Sequence, residues 1–262
     1  MSALNAEVTG RGRRDLVLLH GWGMNLRVWD GLAAAQARRF RVIAIDLPGH
    51  GRSDWDPAAC TPAAQAWRVH ETLAPLTTRY SLLGWSLGGQ FALDLAAAMP
   101  AGIERLVLVA ATPRFLAGPG WRFGMAPAAL AQLAAAVRAD PKRAVREFLA
   151  LQVRGLAPRT AARALGTLRA ALEKQGAADP AALAWGLERL RDGDLRESLA
   201  QVRMPALVIA GQRDRIVRPA ASRALAEALP RGRYRQLTGA GHVPFLTHPG
   251  QFATALRAFL RA

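Results

Sequence analysis

The run Tyr80-Ser81-Leu82-Leu83-Gly84-Trp85-Ser86-Leu87-Gly88-Gly89-Gln90 constrains the fold more than any other stretch. It opens as a short, continuous apolar segment with the length of a buried strand. From Leu87 or Gly88 the chain reads as a helix that passes Phe91, Leu93 and Leu95, reaches about Met99 and is closed by Pro100. Ser86 stands at the turn between the two. Glycine two residues before and after it, Gly84 and Gly88, leaves room in a turn where a side chain would collide. A serine held this way has its hydroxyl pushed clear of the backbone. The helix beginning beside it offers unpaired N–H groups and a positive dipole end to a negatively charged oxygen. With 24 glycines in the chain, the pattern G-x-S-x-G also fits an ordinary strand-to-helix turn. The chemical reading therefore requires a base, an orienting acid and an oxyanion site elsewhere.

The rest of the chain supplies candidates in order. Asp15–Leu19 is a strand-type run that breaks into the loop His20-Gly21-Trp22-Gly23. A helix over Leu26–Arg39 leads to a strand over Phe40–Ile45, then to the turn-rich loop Asp46-Leu47-Pro48-Gly49-His50-Gly51-Arg52-Ser53. A helix from Pro62 to Leu76 precedes the strand before Ser86, and Arg105–Ala110 is a further buried strand. This alternation predicts a mostly parallel sheet with helices on both faces. Between about Pro113 and Leu190 the strand runs stop, and helical segments follow at about 127–138, 141–153, 158–174 and 180–190. The expected organisation is a core of residues 1–112 and 191–262 with a helical lid inserted at 113–190. Strands resume at Met204–Gly211 and Arg233–Leu237, and a last helix covers about 249–261.

Asp214 lies just past the first resumed strand, and His242 lies on the loop Gly239-Ala240-Gly241-His242 after the second. Ser86, Asp214 and His242 thus all follow the carboxyl ends of expected strands, where residues far apart in sequence converge. Serine is a poor nucleophile until a base takes its proton; imidazole titrates near neutrality and returns that proton to the leaving group. The carboxylate fixes the imidazole tautomer. The backbone N–H groups of Trp22 and Leu87 are the candidate oxyanion donors. His50, on its turn-rich loop, is a weaker candidate base. His20, His70 and His248 have no comparable setting, and no cluster shows metal-ligand spacing.

Composition narrows the classes. Cys60 is the single cysteine, so an intrachain disulfide framework is excluded. No apolar run suits a signal peptide or a membrane span, and a cytoplasmic setting is expected. The formal net charge is +16, carried by 33 arginines and only Lys142 and Lys174. That imbalance, together with abundant alanine, suggests a coding bias, but a positive field still favours acidic partners. Charge alone would also suit a nucleic-acid binder, yet no nucleic-acid motif is present. Residues 138–169 hold eight basic residues against Asp140 and Glu147, well above the density of the whole chain.

With these residues in hand the chain resembles the α/β-hydrolase superfamily over nearly its whole length. Within it, the chain is similar to the family of pimeloyl-acyl carrier protein methyl ester esterases of biotin synthesis. The stretches that carry the resemblance are LVLLHGWGMN (16–25), DLPGHGRS (46–53), LGWSLGG (83–89), REFLALQ (146–152), the Asp214 loop and AGHVPFLTHP (240–249). The resemblance implies a serine esterase with an α/β-hydrolase fold, needing no cofactor or metal. Ser86 would be nucleophile, His242 base and Asp214 its orienter. Substrate contacts would come from Trp22, Ser86, Leu87 and His242 and from the lid segment Phe148, Leu149, Ala150, Leu151 and Gln152. The implied partner is an acyl carrier protein bearing the ester, with no nucleic acid or membrane and a monomeric enzyme. Lid arginines would grip the acidic carrier. Arg143 keeps the family register and Arg146 stands one place off it. Two further family positions fall on Thr160 and Ala164, beside Arg159 and Arg163. A broad carboxylesterase or another serine hydrolase of small esters or thioesters remains open, since it would carry the same triad.

Overall fold

A computed structural model describes residues 3–261, so the outermost ends of the expected core, residues 1–2 and 262, lie outside the described residues. Seven strands form one sheet: β1 (Ala6–Thr9), β2 (Arg14–Leu19), β3 (Phe40–Ile45), β4 (Tyr80–Trp85), β5 (Ile103–Val109), β6 (Ala206–Gly211) and β7 (Gly232–Leu237). Their spatial order is β1-β3-β2-β4-β5-β6-β7. β1 pairs antiparallel with β3; every other neighbour is parallel. The central strands are apolar and buried along their length, as a sheet covered on both faces requires. The expected α/β architecture is the observed one.

Among the described residues, ten helices accompany the sheet: α1 (Asp30–Gln36), α2 (Pro62–Leu73), α3 (Leu87–Ala98), α4 (Pro127–Ala139), α5 (Pro141–Gln152), α6 (Pro158–Gln175), α7 (Pro180–Asp192), α8 (Pro219–Ala228), α9 (Pro244–Thr247) and α10 (Pro249–Arg261). The helix expected over Leu26–Arg39 is instead two pieces. Asn25 accepts from Arg27 N and starts a 3₁₀ turn, Leu26–Trp29, before α1 begins. α2 stops at Leu73, three residues earlier than expected, because Pro75 cannot continue a helix and restrains the residue before it. Sequence reading left β1 and α8 unassigned. β1 is a four-residue edge strand, half of it exposed, with no apolar run to mark it.

Four helices, α4 to α7, lie between β5 and β6. Each begins with proline, whose fixed φ and missing N–H suit the first helical position. Asp140 caps α5 by accepting from Arg143 N at 2.9 Å, and Asp179 caps α7 by accepting from Ala181 N at 2.7 Å. α5 buries Ala144, Val145, Phe148 and Leu149 on one face; each fully buried large side chain contributes about 1.5–3 kcal/mol. Phe148 meets Trp22 edge-on at 5.1 Å between ring centroids. The helical segment is thereby packed over the carboxyl ends of the strands.

Candidate active site

β4 runs into Ser86, and α3 starts at the next residue. Ser86 has φ 55° and ψ −117°, one of two non-glycine residues with positive φ among those described. That conformation is costly for an L-residue and is held by the surroundings. Ser86 N donates to Val109 O at 2.9 Å, and Gly89 N donates to Ser86 O at 2.9 Å. The flanking glycines are explained by contact. A β-carbon at Gly84 would lie 2.2 Å from Gly88 O, and one at Gly88 would lie 2.4 Å from His20 O. Any larger residue would force the turn open.

β6 and β7 deliver the other two members. Their loops are pressed together: a β-carbon at Gly211 would fall 2.1 Å from Gly241 O, and Arg213 N donates to Ala240 O at 2.7 Å. Asp214 Oδ2 lies 2.8 Å from His242 Nδ1. Its other oxygen, Oδ1, accepts from Ile216 N at 2.8 Å and Val217 N at 3.0 Å. The carboxylate is therefore fixed at both ends, and the Asp214 and His242 side chains are 0 % and 1 % exposed. Trp85 Nε1 donates to His242 O at 3.0 Å, which anchors the histidine loop to the end of the Ser86 strand. His242 Nε2 is buried and has no hydrogen-bond partner. A buried, unpaired ring nitrogen is costly unless a reacting group completes it.

The loop after β2 borders the serine. A β-carbon at Gly21 would lie 3.3 Å from Ser86 Cβ, so glycine lets this backbone approach Ser86 closely. Among the described residues, no protein acceptor takes the N–H of Trp22 or Leu87. Leu87 N is one of the free donors at the start of α3. The Trp22 indole is committed elsewhere, donating from Nε1 to Leu183 O at 2.9 Å.

His50 is not built as a base. Its Nε2 accepts from Gly23 N at 3.2 Å, so Nδ1 carries the proton and donates to Pro48 O at 3.0 Å. Burial and the neighbouring His20 push its pKa down to about 3. His20 follows the same pattern: Nε2 accepts from Leu47 N at 2.9 Å, Nδ1 donates to Gly21 O at 2.8 Å, and burial lowers its pKa. The two neutral rings brace the loop that carries Trp22. Asp46 completes the brace by accepting from Leu26 N at 2.7 Å, Arg52 N at 3.0 Å, Asn5 Nδ2 at 2.7 Å and Gln175 Nε2. The motif at 46–53 is thus scaffolding for the site.

The segment Phe148–Gln152 is divided. Phe148 and Leu151 line a cavity of about 330 Å³ together with Trp22, Phe115, Met125 and Leu133. Leu149 is buried in the core and does not line that cavity. Ala150 is exposed, following Leu149 on the outer face of α5, and is not part of that cavity's lining. Gln152 is buried, with both amide atoms unpaired, and its carbonyl lies 3.2 Å from a β-carbon built at Gly241, beside His242. Arg143, Arg146, Arg159 and Arg163 are all exposed on α5 and α6. Arg143 pairs with Glu147 at 2.8 Å. Sequence reading missed Phe115, Met125, Leu130, Leu133 and Leu187, because a cavity-lining apolar residue has the same pattern as a core one. Among the described residues, no group of three His, Cys, Asp or Glu could hold a metal ion, and no helix is long and apolar enough to cross a membrane.

Residues 16–255 match the Alpha/beta hydrolase family. The chain belongs to that family. It is 38% identical over 258 residues to a pimeloyl-[acyl-carrier protein] methyl ester esterase of Nitrosomonas europaea, covering 98% of this chain and 100% of the relative. A second esterase of that name, from Stenotrophomonas maltophilia, is 41% identical over 257 residues, with 98% and 96% covered. Among solved structures, a hydrolase from Pseudomonas aeruginosa superposes with a TM-score of 0.81 at 31% identity, covering 98% of this chain and 94% of that one. An esterase from Exiguobacterium antarcticum reaches 0.87 at 22% identity, covering 99% and 96%, a likeness of fold. In this α/β hydrolase the Asp214 and His242 loops are joined by the carboxylate–imidazole contact, and Trp85 ties the His242 loop to the strand end that carries Ser86, an arrangement suited to acyl transfer to water.

Proposed function

We propose that the chain is a serine esterase that hydrolyses the methyl ester at the far end of a pimeloyl group carried on acyl carrier protein. The observation that carries the chemistry is the His242 ring, with Nδ1 tied to a doubly anchored Asp214 and Nε2 unpartnered. The substrate reading rests on the near-complete coverage of relatives that bear that name.

In this reading Ser86 Oγ attacks the ester carbonyl while His242 Nε2 takes its proton. The C–O bond to methanol is not yet broken; the carbonyl oxygen becomes an oxyanion and accepts hydrogen bonds from Trp22 N and Leu87 N. His242 then gives the proton to the methoxy oxygen, methanol leaves, and an acyl-enzyme remains on Ser86. Water attacks it by the same route, releasing the pimeloyl carboxylate and restoring the Ser86 hydroxyl. Asp214 keeps the proton on Nδ1 in the resting ring and stabilises the imidazolium. The helices at 113–190 act as a lid, and the cavity beneath them takes the acyl chain. The exposed arginines of α5 and α6 attract the acidic carrier.

The test compares methyl pimeloyl-acyl carrier protein with methyl pimelate and short free esters. The reading requires a kcat/KM for the carrier-bound ester well above that for the free ones. Equal rates on all of them would point instead to a broad carboxylesterase. No hydrolysis of any ester would end the esterase reading.

A further inference from the structure

A second apolar chamber lies beside the cavity over the site. It has a volume of about 380 Å³ and sits between α4 and α7. Leu130 and Leu187 line both chambers. Helical spacing explains the division. On α4, Pro127, Ala131 and Ala134 face the outer chamber, Ala129, Leu133 and Ala136 face the inner one, and Leu130 stands on the border. On α7, Ala184 faces the outer chamber, Leu190 faces the inner one, and Leu187 stands between them. Both leucines are buried, at 3 % exposure each. The outer space exists because this stretch of both helices carries alanine where a larger side chain would fill the seam. Its open side is lined by the exposed, charged Arg138, Glu188 and Arg191.

We propose that the outer chamber is a second acyl subsite, and that Leu130 and Leu187 form the partition an acyl chain must pass to reach it. The inference rests on ester hydrolysis at Ser86. The inner chamber is walled by Trp22, whose N–H is a candidate oxyanion donor, and by Phe148, so a short acyl chain bound at Ser86 is satisfied there. A longer alkyl chain needs further apolar surface, and each methylene moved out of water gains about fourfold in binding. The outer chamber is the apolar volume that shares a wall with the inner one. The inner chamber has its own mouth, beside the exposed Gln132 and Glu147, which offers a chain water and charge instead. Leu130 and Leu187 are therefore residues that set how long an acyl group the enzyme handles.

The experiment reads kcat/KM on a series of p-nitrophenyl esters from butyrate to dodecanoate, for the full chain and its variants. Wild type should decline along the series. Leu130→Ala and Leu187→Ala should each raise the dodecanoate-to-butyrate ratio about tenfold or more, as several methylenes gain cover. Adding Ala184→Leu to either variant fills the outer chamber alone and should return the ratio towards wild type. If the ratio stays high in that double variant, the chain is using only the hole left by leucine, and the proposal fails. It fails equally if the ratio does not move, which would send long chains out past Gln132 and Glu147. Should an alanine variant not fold by circular dichroism, Leu130→Val and Leu187→Val open the same passage less deeply and must move the ratio in the same direction. A wild type that hydrolyses no ester overturns the esterase reading and this proposal with it; hydrolysis with an unmoved ratio overturns this proposal alone.

Discussion

Gly186 of α7 lies so close to Trp22 that a β-carbon built on it would stand 2.7 Å from the indole Cδ1, and 3.4 Å from Leu87 Cδ2. The helical segment thus rests on Trp22 and Leu87, the two candidate oxyanion donors. Its position and the shape of the candidate oxyanion site are mechanically linked. Gly186→Ala should expose that link. Alanine gains up to about 1 kcal/mol of helix propensity, while overpacking a tight contact costs about 1–3 kcal/mol. Little net change in melting temperature is expected, with a drop in esterase kcat/KM of roughly tenfold to a hundredfold from misplaced donors. Unchanged kcat/KM would show that α7 can shift without disturbing the turn.

Ser86→Ala removes the proposed nucleophile and almost no packing, so it should abolish turnover in a protein whose circular dichroism and melting match wild type. Asp214→Asn keeps the shape but removes the charge that holds His242 Nδ1 at 2.8 Å. Its cost in kcat should be on the order of a hundredfold to ten-thousandfold, no greater than that of His242→Ala, since the members act as a unit. Steady-state rates of the three purified variants provide the check. A silent Asp214→Asn would move the orienting role to another carboxylate.

Acid should destabilise the fold through the histidine pair behind the Trp22 loop. The folded chain holds His50 at about 3 against an ordinary 6.5, through burial first and His20 second. A lowered folded pKa means that the unfolded chain binds the proton more readily. Stability is therefore full above about pH 6.5 and falls as the pH drops towards about 3, by about 1.4 kcal/mol per pH unit for this one group. His20, also lowered, acts in the same direction. Urea unfolding between pH 7 and 5, above the range of ordinary carboxylates, should show the slope. His50→Gln, which keeps an acceptor for Gly23 N, should flatten it. An identical slope in that variant would assign the acid sensitivity elsewhere.

Reversing Arg143, Arg146, Arg159 and Arg163 to Glu should raise KM for the carrier-bound ester at low salt. The loss should shrink as salt screens exposed charges over about 10 Å at 0.1 M. Arg143 already pairs with Glu147, so its share should be the smallest. Methyl pimelate should be hydrolysed almost as by wild type. Equal losses on both substrates would mean a damaged helical segment, and no loss on either would leave these arginines as a solvated face.

The sequence by itself determined the parallel strands of the sheet and the order of the candidate residues, but not the edge strand β1. Met204–Gly211, and Phe40–Ile45 from Val42 onward, read as strands because a sheet covered on both faces wants such apolar runs. Gly84 and Gly88 marked the turn at Ser86 because tight backbone contact leaves no other choice. The starts of α4 to α7 carry proline, and those of α5 and α7 also a capping aspartate, signals that are local to the sequence. Tertiary structure alone decided which side chains of those helices meet the site. Ala150 and Leu151 are neighbours in sequence, yet one is exposed and the other lines the cavity, a matter of how α5 is rotated on its bed. His50 and His242 both sit in glycine-rich loops. Their different parts follow from partners that local pattern does not contain: Gly23 N and Pro48 O for one, Asp214 for the other. Burial and hydrogen-bond partnership are set by contacts between distant segments, and the two chambers divided by Leu130 and Leu187 exist only where those segments pack.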